Sequence, residues 1–158
     1  MKRGGGFTLV ELLIVVMIIG ILAGMVLLAM GPVLDNVEAT RIINDLRNVK
    51  GAAMTFYLAE VTWPGSTAAS IAADAASLEK FLDRDLSRER YAGADAEASP
   101  IDFQTATDGK RVVGLLLSEN LNRSAQIQAA LAKKAAQSGI TSATGGTYTS
   151  GNPYIPMN

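Results

Sequence analysis

At 158 residues the chain has room for about one domain, and it contains neither cysteine nor histidine, which excludes disulfide frameworks, Cys/His zinc sites and His-dependent catalytic triads and dyads. Basic and acidic residues number 14 and 15. Two of the basic residues are Lys2 and Arg3, so the chain from Phe7 onward is net acidic, and binding of nucleic acid through bulk positive charge is not expected.

The apolar content of 49% is unevenly placed. After Met1-Lys2-Arg3-Gly4-Gly5-Gly6 and Phe7-Thr8-Leu9-Val10-Glu11, no residue in 12–34 is charged. Those positions span roughly 35 Å as helix, and a bilayer core needs about 20 such residues. The run reads as a transmembrane helix. Ala23 and Ala29 are small, but the apolar pattern continues through them, so no removable secretory signal ends there. Lys2 and Arg3 precede the run closely and the next basic residue is Arg41, which predicts a cytoplasmic N-terminus and an exported remainder. Glu11 is an acid inside this apolar block. It lies either solvated at headgroup level or ready to meet a positive partner when the helix packs on copies of itself.

The run Gly6-Phe7-Thr8-Leu9-Val10-Glu11-Leu12-Leu13-Ile14-Val15-Val16, behind its short charged leader, resembles the type IV prepilin signal. Type IV pilins and type II secretion pseudopilins share that signal. The resemblance covers about the first 30 residues. It implies that a membrane prepilin peptidase cuts between Gly6 and Phe7 and methylates the new amine of Phe7. It also implies that Glu11 of one subunit pairs with the Phe7 amine of a neighbour. Such a pair in a low-dielectric bundle would set register between apolar helices. An inner-membrane assembly platform and an ATPase are further implied partners. No cofactor is implied.

Gly20-x-x-x-Gly24 permits close helix packing. Gly31-Pro32 predicts a kink or local loss of helix. The family implies an N-terminal helix part of which melts in the filament, and residues 25–32 are where this chain would soften. Beyond Pro32 the pattern becomes amphipathic: Leu34, Val37, Ile42, Leu46, Val49, Ala53 and Phe56 recur mostly at three- and four-residue steps, with Arg41, Asp45, Arg47 and Lys50 between them. Helix is expected over residues 7–60, ended by Trp63-Pro64-Gly65.

The alanine-rich residues 67–76 fit helix or loop. Ser77 reads as the cap of a short helix over 78–82, followed by Asp83-Arg84-Asp85. Residues 87–100 read as loop. Residues 101–105 alternate as a half-buried strand, Asp108-Gly109 signals a hairpin, and 110–117 return. Ser124 caps a helix to about Gln137 with Ile127 and Leu131 inward, and Gly139 stops it. A Gly/Ser/Thr-rich loop follows. Residues 154–157 add a short strand that Pro156 confines to an edge.

The expected fold is α+β and pilin-like: a long N-terminal helix, transmembrane then amphipathic, on a small antiparallel sheet with a second helix in the C-terminal half. Its parts are a leader (1–6), an anchor and filament-core segment (7–34) and an exported head (35–158). Pilins often close a C-terminal loop with a disulfide, and here that loop must be held another way or not held at all. The acids Asp83, Asp85, Glu89, Asp95, Glu97, Asp102 and Asp108, interleaved with Arg84, Arg88 and Arg90, read as solvated surface rather than catalytic groups. Gly145-Gly146 lacks the lysine and spacing of a phosphate loop. Arg123, Lys133 and Lys134 fit an exposed helix face. Tyr148 and Tyr154 fit either packing or surface binding. The nine aromatics are spread along the chain and give no basis for a conducting stack.

The expected function is a non-enzymatic subunit of a type IV pilus-like filament, made in the inner membrane with its head exported. The alternatives are a type II secretion pseudopilin acting as a periplasmic piston, or a minor tip subunit in adhesion or DNA uptake.

Overall fold

The computed structural model describes residues 6–65, 71–82, 86, 88–91, 99–119, 121 and 124–157. The chain forms two compact units, Met1–Leu34 and Asp35–Asn158. Helix α1 (Leu9–Glu60) contributes to both. In the first unit every large hydrophobic from Leu9 to Leu34 whose side chain is described is exposed. The helix is unbroken through Gly31 and Pro32, so no local loss of helix occurs there in the single chain.

In the second unit α1 is amphipathic. Ala39, Ile42, Ile43, Leu46, Val49, Ala52, Ala53 and Phe56 are buried. Leu34 and Val37, expected in this stripe, are exposed. Val37 sits half a turn around the helix from Leu46, and Leu34 precedes the unit that supplies the core. Trp63-Pro64-Gly65 does end the helix, with the Trp63 ring stacked on Tyr57 at a centroid distance of 4.5 Å.

Helix α2 (Ile71–Glu79) corrects the expected element at 78–82. Ser77 lies inside the helix and caps nothing. Alanine is the strongest helix former, so the alanine-rich run itself is the helix, burying Ala75 and Leu78. The Asp74 carboxylate accepts the Gly65 N–H at 2.9 Å. Helix α3 (Arg88–Tyr91) interrupts the segment read as loop. Its fully buried Tyr91 donates its hydroxyl to Asp45 at 2.6 Å, and Arg90 is paired with Glu38. Two side chains thus clip a single turn onto α1. Asp83-Arg84-Asp85 lies outside the described residues.

Strand β1 (Ile101–Thr105) pairs antiparallel with β2 (Arg111–Leu115) in the register Ile101↔Leu115 to Thr105↔Arg111. The turn at Asp108-Gly109 closes with the Ala106 N–H donating to Lys110 O at 2.8 Å and the Gly109 N–H to Ala106 O at 2.9 Å. Strand β3 (Tyr154–Pro156) pairs with β2 on its other side. The order is β1-β2-β3, which puts Pro156 on an edge. Ile101, Phe103, Val113, Leu115 and Ile155 join the α1 stripe in one core cluster.

On the opposite sheet face Tyr154 crosses β2 to donate its hydroxyl to Asp102 at 2.7 Å. That path requires Gly114: a Cβ there would sit 2.4 Å from the Tyr154 ring. Helix α4 (Ala125–Ser138) begins at Ser124, whose hydroxyl accepts the Ile127 N–H, and ends at Gly139 in the left-handed conformation with φ 71°. Ile127 and Leu131 face inward. The α+β, pilin-like arrangement is therefore the observed one.

The terminal loop is held without a disulfide. Tyr148 is buried and its hydroxyl donates to the Gly151 carbonyl at 2.8 Å and to Gln128 of α4. The Gly151 N–H donates to the same Gln128 oxygen at 3.0 Å. Buried polar groups satisfied in this way stabilise; left unmatched they cost about 1–3 kcal/mol each.

Candidate functional site

The residues marked by the leader pattern stand together at the start of α1. Gly6, Phe7 and Thr8 precede the helix. A Cβ built on Gly6 would meet nothing within 4 Å, and Phe7 is 81% exposed. The Gly6–Phe7 peptide thus lies outside the helix, one residue before its cap.

Thr8 and Glu11 form a reciprocal cap. The Thr8 hydroxyl accepts the Glu11 N–H at 3.2 Å. In return, Glu11 Oε2 accepts both the Thr8 N–H at 2.9 Å and the Thr8 hydroxyl at 2.8 Å. Helix hydrogen bonding starts with the Leu12 N–H donating to Thr8 O at 3.2 Å. This is a capping box, which satisfies N–H groups that the first turn of a helix leaves without partners. A carboxylate there also complements the positive end of the helix dipole. Glu11 is exposed, and its Oε1 has no partner among the described residues. One oxygen therefore organises the chain's own helix start.

Thr8 is a capping residue that the sequence expectation does not include. The signal was present: Thr-x-x-Glu ahead of an apolar run is the capping-box pattern. Lys2, Arg3, Gly4 and Gly5 lie outside the described residues. Gly31 and Pro32 lie far along the helix from this cluster and are not brought to it. Proline has no N–H, so the carbonyl of Leu28, four residues earlier, lacks its intrahelical partner.

Just beyond, within the second unit, Lys134 of α4 donates to Asn36 O at 3.2 Å and to the Thr40 hydroxyl at 2.6 Å. Lys134 is thus half-buried and engaged, unlike Lys133, which is exposed.

The other polar groups do not assemble into a reactive centre among the described residues. Asp102 is occupied by Tyr154 and Gln104. Asp108 accepts the Lys110 N–H at 3.0 Å and lies 3.2 Å from its ammonium, and these hydrogen bonds hold its carboxyl below the usual range. Burial pushes the Tyr148 hydroxyl up to about 12. Burial first, then the bond to Asp102, raises that of Tyr154. Both tyrosines are packing residues and not exposed binding groups. Asp83, Asp85, Asp95, Glu97, Arg84 and Arg123 lie outside the described residues. No group of three or more acids that could hold a metal occurs among the described residues.

α1 includes one segment long and apolar enough to cross a membrane. Residues 1–27 match the prokaryotic N-terminal methylation motif, the class III signal of type IV pilins and pseudopilins. No curated protein and no solved structure matches this chain.

Proposed function

We propose that this chain is a non-enzymatic structural subunit of a type IV pilus-like filament, made as a prepilin and held in the inner membrane until assembly. The observation that carries the proposal is the methylation motif over residues 1–27 joined to a helix whose large apolar side chains from Leu9 to Leu34, where described, are exposed. A prepilin peptidase cuts at Gly6–Phe7 and methylates the Phe7 amine. Lipid covers residues 7–34 first, with the N-terminus cytoplasmic and the head exported. An assembly platform and ATPase then move the segment into a bundle of copies, heads outward, where burial of apolar surface is retained.

Glu11 sets register in that bundle. Its Oε2 is committed to Thr8 and its Oε1 meets the Phe7 amine of a neighbour, an ion pair strengthened by the low dielectric. Gly31 and Pro32 mark where the helix gives first under load, because the Leu28 carbonyl contributes no helical bond there.

Two variants test the scheme. Gly6→Leu blocks leader removal, read as intact mass, and Glu11→Leu inserts and is processed but yields no fibres. Normal maturation of the first, or abundant fibres from the second, overturns the corresponding assignment.

A further inference from the structure

The second half of α1 carries a line of side chains that the head leaves uncovered. Arg47, Gly51, Met54, Leu58 and Val61 recur at steps of four, three, four and three residues, the 3.5-residue period of helices that pack side by side. Leu58 is 80% exposed, Val61 75% and Met54 41%, against a core stripe on the same helix that is buried. Val61 continues the line just past the helix end, where its N–H still donates to Tyr57 O at 2.8 Å. Its φ of 57° is a strained conformation for a β-branched residue. Arg47 is exposed and has no hydrogen bond or ion pair among the described residues. The acids of this stretch, Asp35, Glu38, Asp45 and Glu60, fall on the other side of the helix, counted at about 3.6 residues per turn.

The front of the same helix carries the matching line. Glu11, Val15, Ile18, Leu22 and Met25 follow the same four, three, four, three spacing, and all are exposed. Each line opens with one charge and continues without any, and the two charges are opposite.

We propose that the front segment of one copy packs in parallel along the Arg47 to Val61 line of a second copy, with the open oxygen of Glu11 against the Arg47 guanidinium. This rests on the filament reading and names the contact it uses. The offset is 36 residues, the separation of Glu11 and Arg47 in the chain, or about 54 Å of helix.

In this register Ile18 meets Met54, Leu22 meets Leu58 and Met25 meets Val61. Val15 lies over Gly51, where a Cβ would touch nothing of its own chain and a neighbouring backbone can approach closely. Charge selects the register: sliding either helix by one turn separates the Glu11 carboxylate from the Arg47 guanidinium. The contact uses a different surface on each copy, so it does not close on itself and repeats into an open polymer. It is compatible with the Phe7 amine, because a carboxylate offers about four lone-pair sites.

The chain has no cysteine, so crosslinking reads the register directly. Full-length chains carrying Leu22→Cys with Leu58→Cys are assembled in cells, and sheared fibres are oxidised with copper phenanthroline. A ladder of covalent multimers is expected on non-reducing gels, with little from the off-register pair Leu22→Cys with Gly51→Cys. Fibres that form but give no ladder, or equal ladders from both pairs, overturn the contact. An unsubstituted chain that never polymerises overturns the filament reading itself.

Should the cysteine variants fail to assemble, Arg47 decides. Arg47→Glu sets two acids together and should cut fibre yield about tenfold or more, the scale of a like-charge contact replacing an ion pair. Arg47→Lys should keep the yield. Both variants should leave the melting temperature of the detergent-solubilised chain unchanged. Undiminished fibres from Arg47→Glu overturn the pairing.

Discussion

The two parts of α1 share one helix and opposite fates. From Leu9 to Leu34 the large side chains whose positions are described are exposed, whereas from Ala39 to Phe56 an inward stripe is buried to a few per cent. The first part carries no charged residue between positions 12 and 34, so apolar side chains surround the helix there. The second alternates apolar and polar at helical spacing, so the sheet and α4 can cover one face. The difference separates the hydrophobic residues that build the head's core from those that the proposed filament would cover.

That contrast can be broken at single positions. Leu46 is fully buried in the core cluster, so Leu46→Ala should destabilise the head by about 2–5 kcal/mol. Leu22→Ala, the same chemistry on the same helix, should leave head unfolding unchanged in detergent and instead reduce fibre recovery. Denaturant unfolding followed by tyrosine and tryptophan fluorescence separates the two. Equal losses of head stability would erase the distinction.

A smaller effect probes the head's terminal loop. Tyr148→Phe removes the hydroxyl that ties Gly151 to Gln128 and should cost about 1–3 kcal/mol. The same residue carries a pH signature. Its folded pKa is about 12 against an ordinary 10, so the native state holds the proton more tightly than the unfolded chain. Stability is therefore complete below pH 10 and falls as pH rises from 10 through 12. Tyr154 is shifted in the same direction. Unfolding midpoints across that range should drop less steeply for Tyr148→Phe than for the parent chain. Identical slopes would remove Tyr148 from the account.

The smallest effect belongs to Asp108, an exposed residue of the β1–β2 turn. Its carboxyl is held low by hydrogen bonds from Lys110. Its contribution is present above the ordinary carboxylate range and is lost as pH falls through the lowered folded value. Asp108→Asn should flatten a slight loss of head stability on acidification and leave assembly untouched. A large change in either would mean that the turn does more than close a hairpin.

Local chemistry was legible in the sequence, and distant partnerships were not. The Gly6-Phe7 and Glu11 pattern, the Asp108-Gly109 turn, the Ser124 cap and the Gly139 stop are all decided within a few residues of themselves. The structure places each turn and cap as read. Thr8 is equally local, because Thr-x-x-Glu ahead of an apolar run encodes its cap. Ser77 misled in the other direction, because a residue favoured at caps is also tolerated within a run of alanines.

The clamp of Tyr148 on Gln128, the reach of Tyr154 over Gly114 to Asp102 and the clip of Tyr91 on Asp45 join residues 20 to 52 positions apart. No spacing rule encodes them. They follow only once the sheet and helices have placed those backbones side by side.

The most direct test of the central claim is a high-resolution map of sheared surface fibres in which this chain is identified by mass. The account predicts a chain beginning at a methylated Phe7, with residues 9–34 buried against sister copies and the heads outside. Recovery of the chain solely as separate, leader-bearing molecules in membranes that contain a working prepilin peptidase would contradict it.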